Sequence, residues 1–396
     1  MNKKYKSLFM LNPDITYLNH GSFGACPKPI FNSLIKYQKI LEFEPTKHLA
    51  YDVFNYLEQS RIALGKYINC NKNDIIFSSN PSTALNTVIK SLNLKENDEI
   101  LATDHEYGAL DKTWNFICKK TGAKYIQQNI PMPLNSKEEF IEHFTKGLTK
   151  KTKIIFISHI TSPTALIFPI KEVCKIAYDK GITSIIDGAH APAQIKIDIQ
   201  KINPDIYVGA CHKWMCSSKG VSFLYSNKNY QKNIDPLVIS WGWRDESFSD
   251  EPQFINWHQW QGTNDLSSYL TIPVILDFFK KHNWDNISTD CHNLILETKN
   301  KFSNLNSVCI PTSNNCNHLG QMLSFKVKQS SKLIKVLKKD YTKISEIQKI
   351  IFKQSNIHMP IIIWNDEIFM RVSIQAYNSK EDIDAMFVML DYFNLL

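Results

Sequence analysis

Two short stretches of this chain carry residue types suited to covalent chemistry on an aldehyde. In IIDGAHAPAQ (185–194), Asp187 follows two isoleucines that read as the end of a buried strand, and His190 follows three residues later. A carboxylate walled by isoleucines is costly unless a cation or a hydrogen-bond donor meets it. Asp187 therefore either caps the next turn or helix, or pairs with a protonated ring nitrogen and keeps a pyridine-type cofactor electron-withdrawing. In GACHKWMCSSKG (209–220), Lys213 sits between His212 and Trp214, where a strand should give way to a turn. Most lysines are solvated and do nothing specific. A desolvated one loses its proton readily and can form a Schiff base. HKW alone is a weak signal; an Asp-x-x-His strand end 26 residues earlier makes it specific.

Other polar groups suit a charged ligand. SSNPSTALNTV (78–88) offers Ser82 and Thr83 at a helix start, which is either an anion site or an ordinary N-cap by Ser82. WQGTND (260–265) places Thr263 in a turn-like stretch that adds donors to a phosphate or simply turns. Tyr107 in DHEYGALDKTW follows a strand end and either packs in a core or lies against a cofactor ring. Arginine is scarce: Arg61, Arg244 and Arg371 are the only three among 46 basic residues. Because guanidinium pairs with carboxylate through two parallel hydrogen bonds, Arg371 in FMRVSIQAYN is expected to clamp a carboxylate rather than form a surface ion pair.

The elements that must position these groups follow from periodicity. Short apolar runs at 74–79, 98–103, 124–128, 153–159, 183–187, 205–210 and 221–225 alternate with helical stretches at 82–92, 108–122 and 170–181. This alternation predicts an α/β fold with a mainly parallel seven-stranded sheet flanked by helices. From about 266 the pattern changes to long helical segments (268–282, 286–304) with short strands near 307–310, 321–326 and 361–373 and a closing helix, a smaller C-terminal α+β domain. The expected division is an N-terminal arm (1–16), a large cofactor-binding domain (17–265) and a small domain (266–396). Ligands of open α/β sheets sit beyond the carboxyl ends of the strands, and the candidate residues cluster there.

Composition excludes several classes. Hydrophobic residues make up 43% of the 396, which predicts a packed globule rather than disorder. The net charge of +8 is spread without a basic block, so no nucleic-acid partner is expected. Nine cysteines without a CxxC pair predict free thiols in a reducing compartment and no structural zinc. No window approaches ~18 apolar residues, so no membrane association is expected. A cytoplasmic, soluble enzyme is the resulting expectation. No G-x-G-x-x-G follows the first strand, which argues against a dinucleotide-dependent oxidoreductase.

Taken together, YLNHGSFGACP, HEYGA, SHITSPTALIFPI, DGAHAPAQ, HKW, WQGTND and MRVSIQAYN resemble aminotransferase class V. These are fold-type I pyridoxal-phosphate enzymes with an aspartate-aminotransferase-like fold, and the likeness points to the isopenicillin N epimerase-like branch. It runs from about Tyr17 to Tyr377, and DGAHAP followed by HKW is its most specific part. The resemblance implies pyridoxal 5'-phosphate as cofactor, no metal, an amino-acid substrate and a homodimer.

Residue by residue, the likeness implies that Lys213 carries the cofactor and shuttles the Cα proton, while Asp187 pairs with the ring nitrogen. His190 is implied near the ring's phenolic oxygen and Tyr107 on its face, with His159 or Thr161 also touching the ring. Ser82, Thr83 and His212 are implied at the phosphate, and Thr263 at the phosphate of the partner subunit. Arg371 is implied at the substrate carboxylate. The segment carrying Asn19 and His20 is implied to come back over the site and meet the substrate. Two departures stand out. Ala210 replaces a hydroxyl or amide residue common before the lysine pair, which removes one phosphate contact. RVSIQAYNSKED has no cysteine after the arginine, which speaks against persulfide formation by the usual route. Epimerisation is the leading expectation, with C–S β-lysis or transamination as alternatives. A non-catalytic binding module is disfavoured by intact Asp187, Lys213 and Arg371.

Overall fold

A computed structural model describes residues 3–245, 247–303, 305, 309–312 and 318–396. Its strands are β1 (Thr16–Tyr17), β2 (Ile75–Ser78), β3 (Glu99–Thr103), β4 (Lys124–Gln128), β5 (Thr152–Ser158), β6 (Thr183–Gly188), β7 (Ile206–Ala210), β8 (Ser222–Ser226), β9 (Met322–Lys326), β10 (Ile357–His358), β11 (Ile361–Trp364) and β12 (Glu367–Ser373). Strands β2 to β8 form one seven-stranded sheet in the order β2-β8-β7-β6-β5-β3-β4. Only β8 runs against its neighbours β7 and β2; the pairs among β3 to β7 are parallel. The mainly parallel sheet expected from the apolar runs is therefore the observed architecture.

Side-chain alternation along the strands separates two cores, one on each face. Ile76, Ile100, Ile154, Phe156, Ile185, Ile206, Val208 and Leu224 join one cluster. Ile75, Phe77, Leu101, Ile155, Ile157, Ile186, Tyr207 and Phe223 join the other. Helices cover both faces, which is why the strands read as continuous apolar runs rather than as alternating ones. The helices Gly108–Thr121 and Ile170–Lys180 each end on a left-handed glycine, Gly122 and Gly181, where the sequence pattern stops.

The C-terminal part holds a three-stranded antiparallel sheet in the order β11-β12-β9, beside the helices Trp284–Ser303 and Lys380–Tyr392. Phe302 of the first helix meets Phe325 of β9 at 4.2 Å and Phe387 of the second at 4.7 Å. The stretch 361–373 is a hairpin rather than one strand. Asn365 and Asp366 both take positive φ, 47° and 57°, the geometry of a two-residue turn that suits the right-handed strand twist. Of the strand expected near 307–310, Ser307 and Val308 lie outside the described residues, and Cys309 bridges to Lys326. The N-terminal stretch joins this region: β1 pairs in parallel with β10, and Ser373 N–H donates to the Leu18 carbonyl. Among the described residues, no helix is long and apolar enough to cross a membrane.

Candidate active site

The register of the large sheet sets the site. Ser158 of β5 lies beside Asp187 of β6, Gly188 beside Gly209 of β7, and Ala210 and Ser78 both beside Ser222. The carboxyl ends of β2, β5, β6 and β7 thus reach one edge together. A cavity of about 510 Å³ opens there, a volume typical of small-molecule sites. It is lined by Asp187, His190, Lys213, His212, Ser82, Tyr107 and Arg371, among others. Residues more than 280 positions apart, from Ser82 to Arg371, face one space.

The Lys213 side chain is partly buried and lines this cavity. Desolvation pulls its amine down to about 8, opposed by the Asp187 carboxylate and assisted by the Arg371 charge. Its Nζ lies 3.1 Å from His190 Nε2. The other ring nitrogen, Nδ1, accepts from Trp214 Nε1 at 3.4 Å. Burial holds His190 neutral, with Lys213 and Arg371 charges acting in the same direction. A neutral ring that accepts at Nδ1 carries its proton at Nε2, so Nε2–H points at Lys213. Only an unprotonated amine can accept that bond. The surroundings of Lys213 therefore shift it toward the nucleophilic form.

Asp187 is buried, and desolvation raises its carboxyl, opposed by the Ala189 N–H and the Lys213 charge. Its Oδ1 accepts from Ala189 N at 2.9 Å, so this acid does cap the following turn while it lines the cavity. Arg371 is buried on β12. Its Nη1 donates to the Ser162 carbonyl at 2.5 Å and to Ser162 Oγ at 3.1 Å, and its Nη2 to Ser22 Oγ at 2.8 Å. Its Nε is buried with no hydrogen-bond partner among the described residues. Burial lowers the guanidinium to about 10, which leaves it charged at neutral pH. The other two arginines do different work. Arg61 is buried against Glu251, and exposed Arg244 lies over the Trp243 ring at 5.1 Å.

The start of the helix Pro81–Ser91 is where the anion site is expected. Its cap is Asn80, whose Oδ1 accepts from Thr83 N, rather than Ser82. Pro81 explains the shift, because proline suits the first helical position and puts the cap one residue before it. Ser82 is thereby left free to line the cavity with Ser79 and Asn80. His212 Nδ1 donates to the Val221 carbonyl at 2.8 Å, and desolvation lowers the ring to about 4. It offers a donor to an anion only by taking a second proton, which a phosphate charge would favour.

Several expected residues lie elsewhere. Thr83 receives a bond from Ser79 Oγ and does not line the cavity. His159 Nδ1 bonds the Tyr207 hydroxyl at 2.8 Å, behind Asp187. Thr161 bonds Thr164 and the Leu166 N–H inside its own turn. Thr263 is exposed on the 260–264 loop, away from this cavity. Asn19 and His20 are not among the lining residues, but Gly21, Ser22 and Phe23 of the same segment are. Ser22, Ser162 and Lys219 do line it, and each falls inside a motif already singled out. Glu106 carried no expectation. Its carboxylate accepts from Thr103 Oγ1, Ser158 N and Ser158 Oγ, tying β3 to β5, and desolvation raises it to about 8.

Gly24 is pressed against the Lys213 backbone. A Cβ there would meet the carbonyl oxygens of His212 and Lys213 and the Lys213 Cα, none of which is the movable end of a side chain. Gly24→Ala is expected to destabilise the fold by about 1–3 kcal/mol, read as a lower denaturant midpoint.

The aminotransferase class-V family profile matches residues 27–386. The chain belongs to aminotransferase class V. It is 25% identical to isopenicillin N epimerase of Streptomyces clavuligerus over 391 residues, 96% of each chain. It is also 25% identical to L-cysteine desulfhydrase of Arabidopsis thaliana, over 67% of this chain and 61% of that one. Among solved structures, a C-DES mutant with glycine covalently linked to its PLP cofactor superposes with a TM-score of 0.78 at 18% identity, covering 96% and 97% of the two chains. The fold is therefore that of this class V group.

Proposed function

We propose that this class V chain is a pyridoxal-phosphate enzyme acting at the Cα of an amino acid or amino-acid derivative, with isopenicillin N epimerase-like chemistry. The observation that carries the reading is the pair Lys213 and Asp187 on one cavity, the first an amine lowered to about 8 and the second a buried acid. The residues present suit the cofactor. Lys213 meets its aldehyde, Asp187 its ring nitrogen, and Ser82 with the helix start and His212 its phosphate. Bound there, the cofactor withdraws electrons from a substrate Cα and so acidifies its hydrogen.

The chain's own groups do the rest. Arg371 holds the substrate carboxylate, and its buried, partnerless Nε makes an incoming acceptor favourable. Tyr107, half exposed at the cavity wall, covers one face of the ring. Once free of the cofactor, the Lys213 amine takes the Cα hydrogen, with His190 Nε2–H orienting its lone pair. Asp187 holds a proton on the ring nitrogen through its charge. Return of hydrogen to the opposite face of Cα gives epimerisation. The likeness to an L-cysteine desulfhydrase supports C–S lysis as the second reading.

The finer expectations belong to this proposal. A second copy completes the site by bringing its Thr263 to the phosphate. The exposed run Leu237, Val238, Ile239 and Trp241 supports a covered surface of this kind. No disulfide joins the described cysteines, which supports a reducing, cytoplasmic setting. The arm 1–16, large domain 17–265 and small domain 266–396 remain the proposed division.

Two measurements test the reading. An amine attacks an aldehyde only when unprotonated, so pyridoxal-phosphate uptake should rise with pH and level off above about 8, where an ordinary lysine would keep rising toward 10.5. Development of the visible absorption band follows this directly. Incubation with α-amino acids in heavy water then separates the reactions: α-deuteration of both enantiomers marks an epimerase, and pyruvate marks a β-lyase. A protein that takes up no pyridoxal phosphate at any pH would end the proposal.

A further inference from the structure

His20 is fully buried, and its hydrogen bonds decide where its proton sits. Nδ1 lies 3.3 Å from Ala25 N and 2.9 Å from the Tyr377 hydroxyl. A backbone N–H can only donate, so Nδ1 is an acceptor and bears no proton. Burial keeps the ring neutral, pushing it down to about 3, with the Lys219 charge adding to the effect and the Lys213 carbonyl opposing it. The one ring proton is therefore on Nε2, which lies 3.0 Å from the carbonyl oxygen of Lys213, nearer than the Gln375 amide nitrogen at 3.4 Å. His20 donates to the backbone of the residue whose side chain does the chemistry.

The same short segment is held at two further points. Ser22 Oγ accepts from Arg371 Nη2 at 2.8 Å. Gly24 packs on the Lys213 backbone, and its carbonyl accepts from the Lys219 ammonium. Residues 20–24 thus contact the backbone of the candidate base and the guanidinium of the candidate carboxylate clamp, which come from different sheets.

We propose that His20 is a positioning residue: its Nε2–H fixes the Lys213 carbonyl, and the segment 20–24 thereby sets the amine at a constant distance from Arg371. This role rests on Lys213 being the base at Cα. It differs from contact with the substrate, because His20 does not line the cavity and its ring meets Tyr377, Trp214 and the Lys213 carbonyl instead. A base displaced by about 1 Å loses rate rather than substrate affinity.

The experiment compares cofactor-loaded wild type with His20→Met, which fills the space without a donor, and His20→Gln, whose amide N–H can reach the same carbonyl. The probe is α-hydrogen exchange in heavy water, using the amino acid that wild type exchanges fastest. His20→Met should bind pyridoxal phosphate within about 3-fold of wild type, keep KM within about 2-fold and lose about 10- to 100-fold in kcat; His20→Gln should recover most of it. An unchanged kcat in His20→Met overturns the proposal. A raised KM at constant kcat also overturns it and makes His20 a substrate contact. Should His20→Met fail to fold, ¹⁵N-histidine spectra of the wild-type holoenzyme decide the matter. A neutral His20 protonated at Nε2 upholds it, and a proton at Nδ1 or a charged ring at pH 7 overturns it. Wild type that binds cofactor but exchanges nothing contradicts the proposed function instead.

Discussion

Lys213→Ala is expected to give a folded protein without the visible absorption band of the wild type. On the proposed function, the substitution removes the amine that would meet the cofactor's aldehyde and take the Cα hydrogen. It leaves the nearby framework in place, because His20, Gly24 and Cys216 contact the Lys213 backbone rather than its side chain. A positioned proton-transfer group contributes about 10²- to 10⁴-fold, so α-hydrogen exchange should fall by at least that range. Absorption spectra and exchange rates in heavy water provide the check. A variant that keeps both the band and the exchange would move the chemistry to another amine. Lys219 is the natural alternative, since it lines the same cavity, but its ammonium is engaged with the Gly24 carbonyl.

The second large effect belongs to Asp187→Asn, and it should separate two roles of one charge. Asparagine retains an oxygen for the Ala189 N–H, so the turn after β6 should persist. What disappears is the negative charge that, on the proposed function, would stabilise a proton on the ring nitrogen. Loss of one preorganised electrostatic contact of this kind costs about 10²- to 10³-fold in rate. The same charge also raises the Lys213 amine. Removing it lowers that amine further below about 8, so the pH at which cofactor uptake levels off should move down. The expected outcome is faster uptake at neutral pH together with slower α-hydrogen exchange. If uptake and exchange both stay at the wild-type level, Asp187 serves only to hold the turn.

Much of the scaffold was legible because it is local. The seven strands of the large sheet are each a short run of β-branched and aromatic residues between turn residues, and each formed where the run lies. The helix ends at Gly122 and Gly181 follow from glycine's tolerance of positive φ. Two local details were carried by signals of less obvious weight. Pro81 moved the helix cap from Ser82 to Asn80, and Asn365–Asp366 folded the run 361–373 back on itself. Glu106 gave no signal, since an acid after a histidine looks solvated until β5 is seen to supply Ser158.

The identity of the chemistry rests on residue types at short spacing: an acid ending an apolar strand, a lysine between histidine and tryptophan, an arginine in a chain with few. Those features need no long-range contact, and so one dimension suffices to carry them. The state of the groups is a different matter. That the Lys213 amine is shifted down to about 8, that His190 offers it an N–H, and that His20 meets the Lys213 carbonyl all follow from desolvation and from partners up to 357 positions apart. Only a folded chain excludes water from an amine and brings such partners within hydrogen-bond reach.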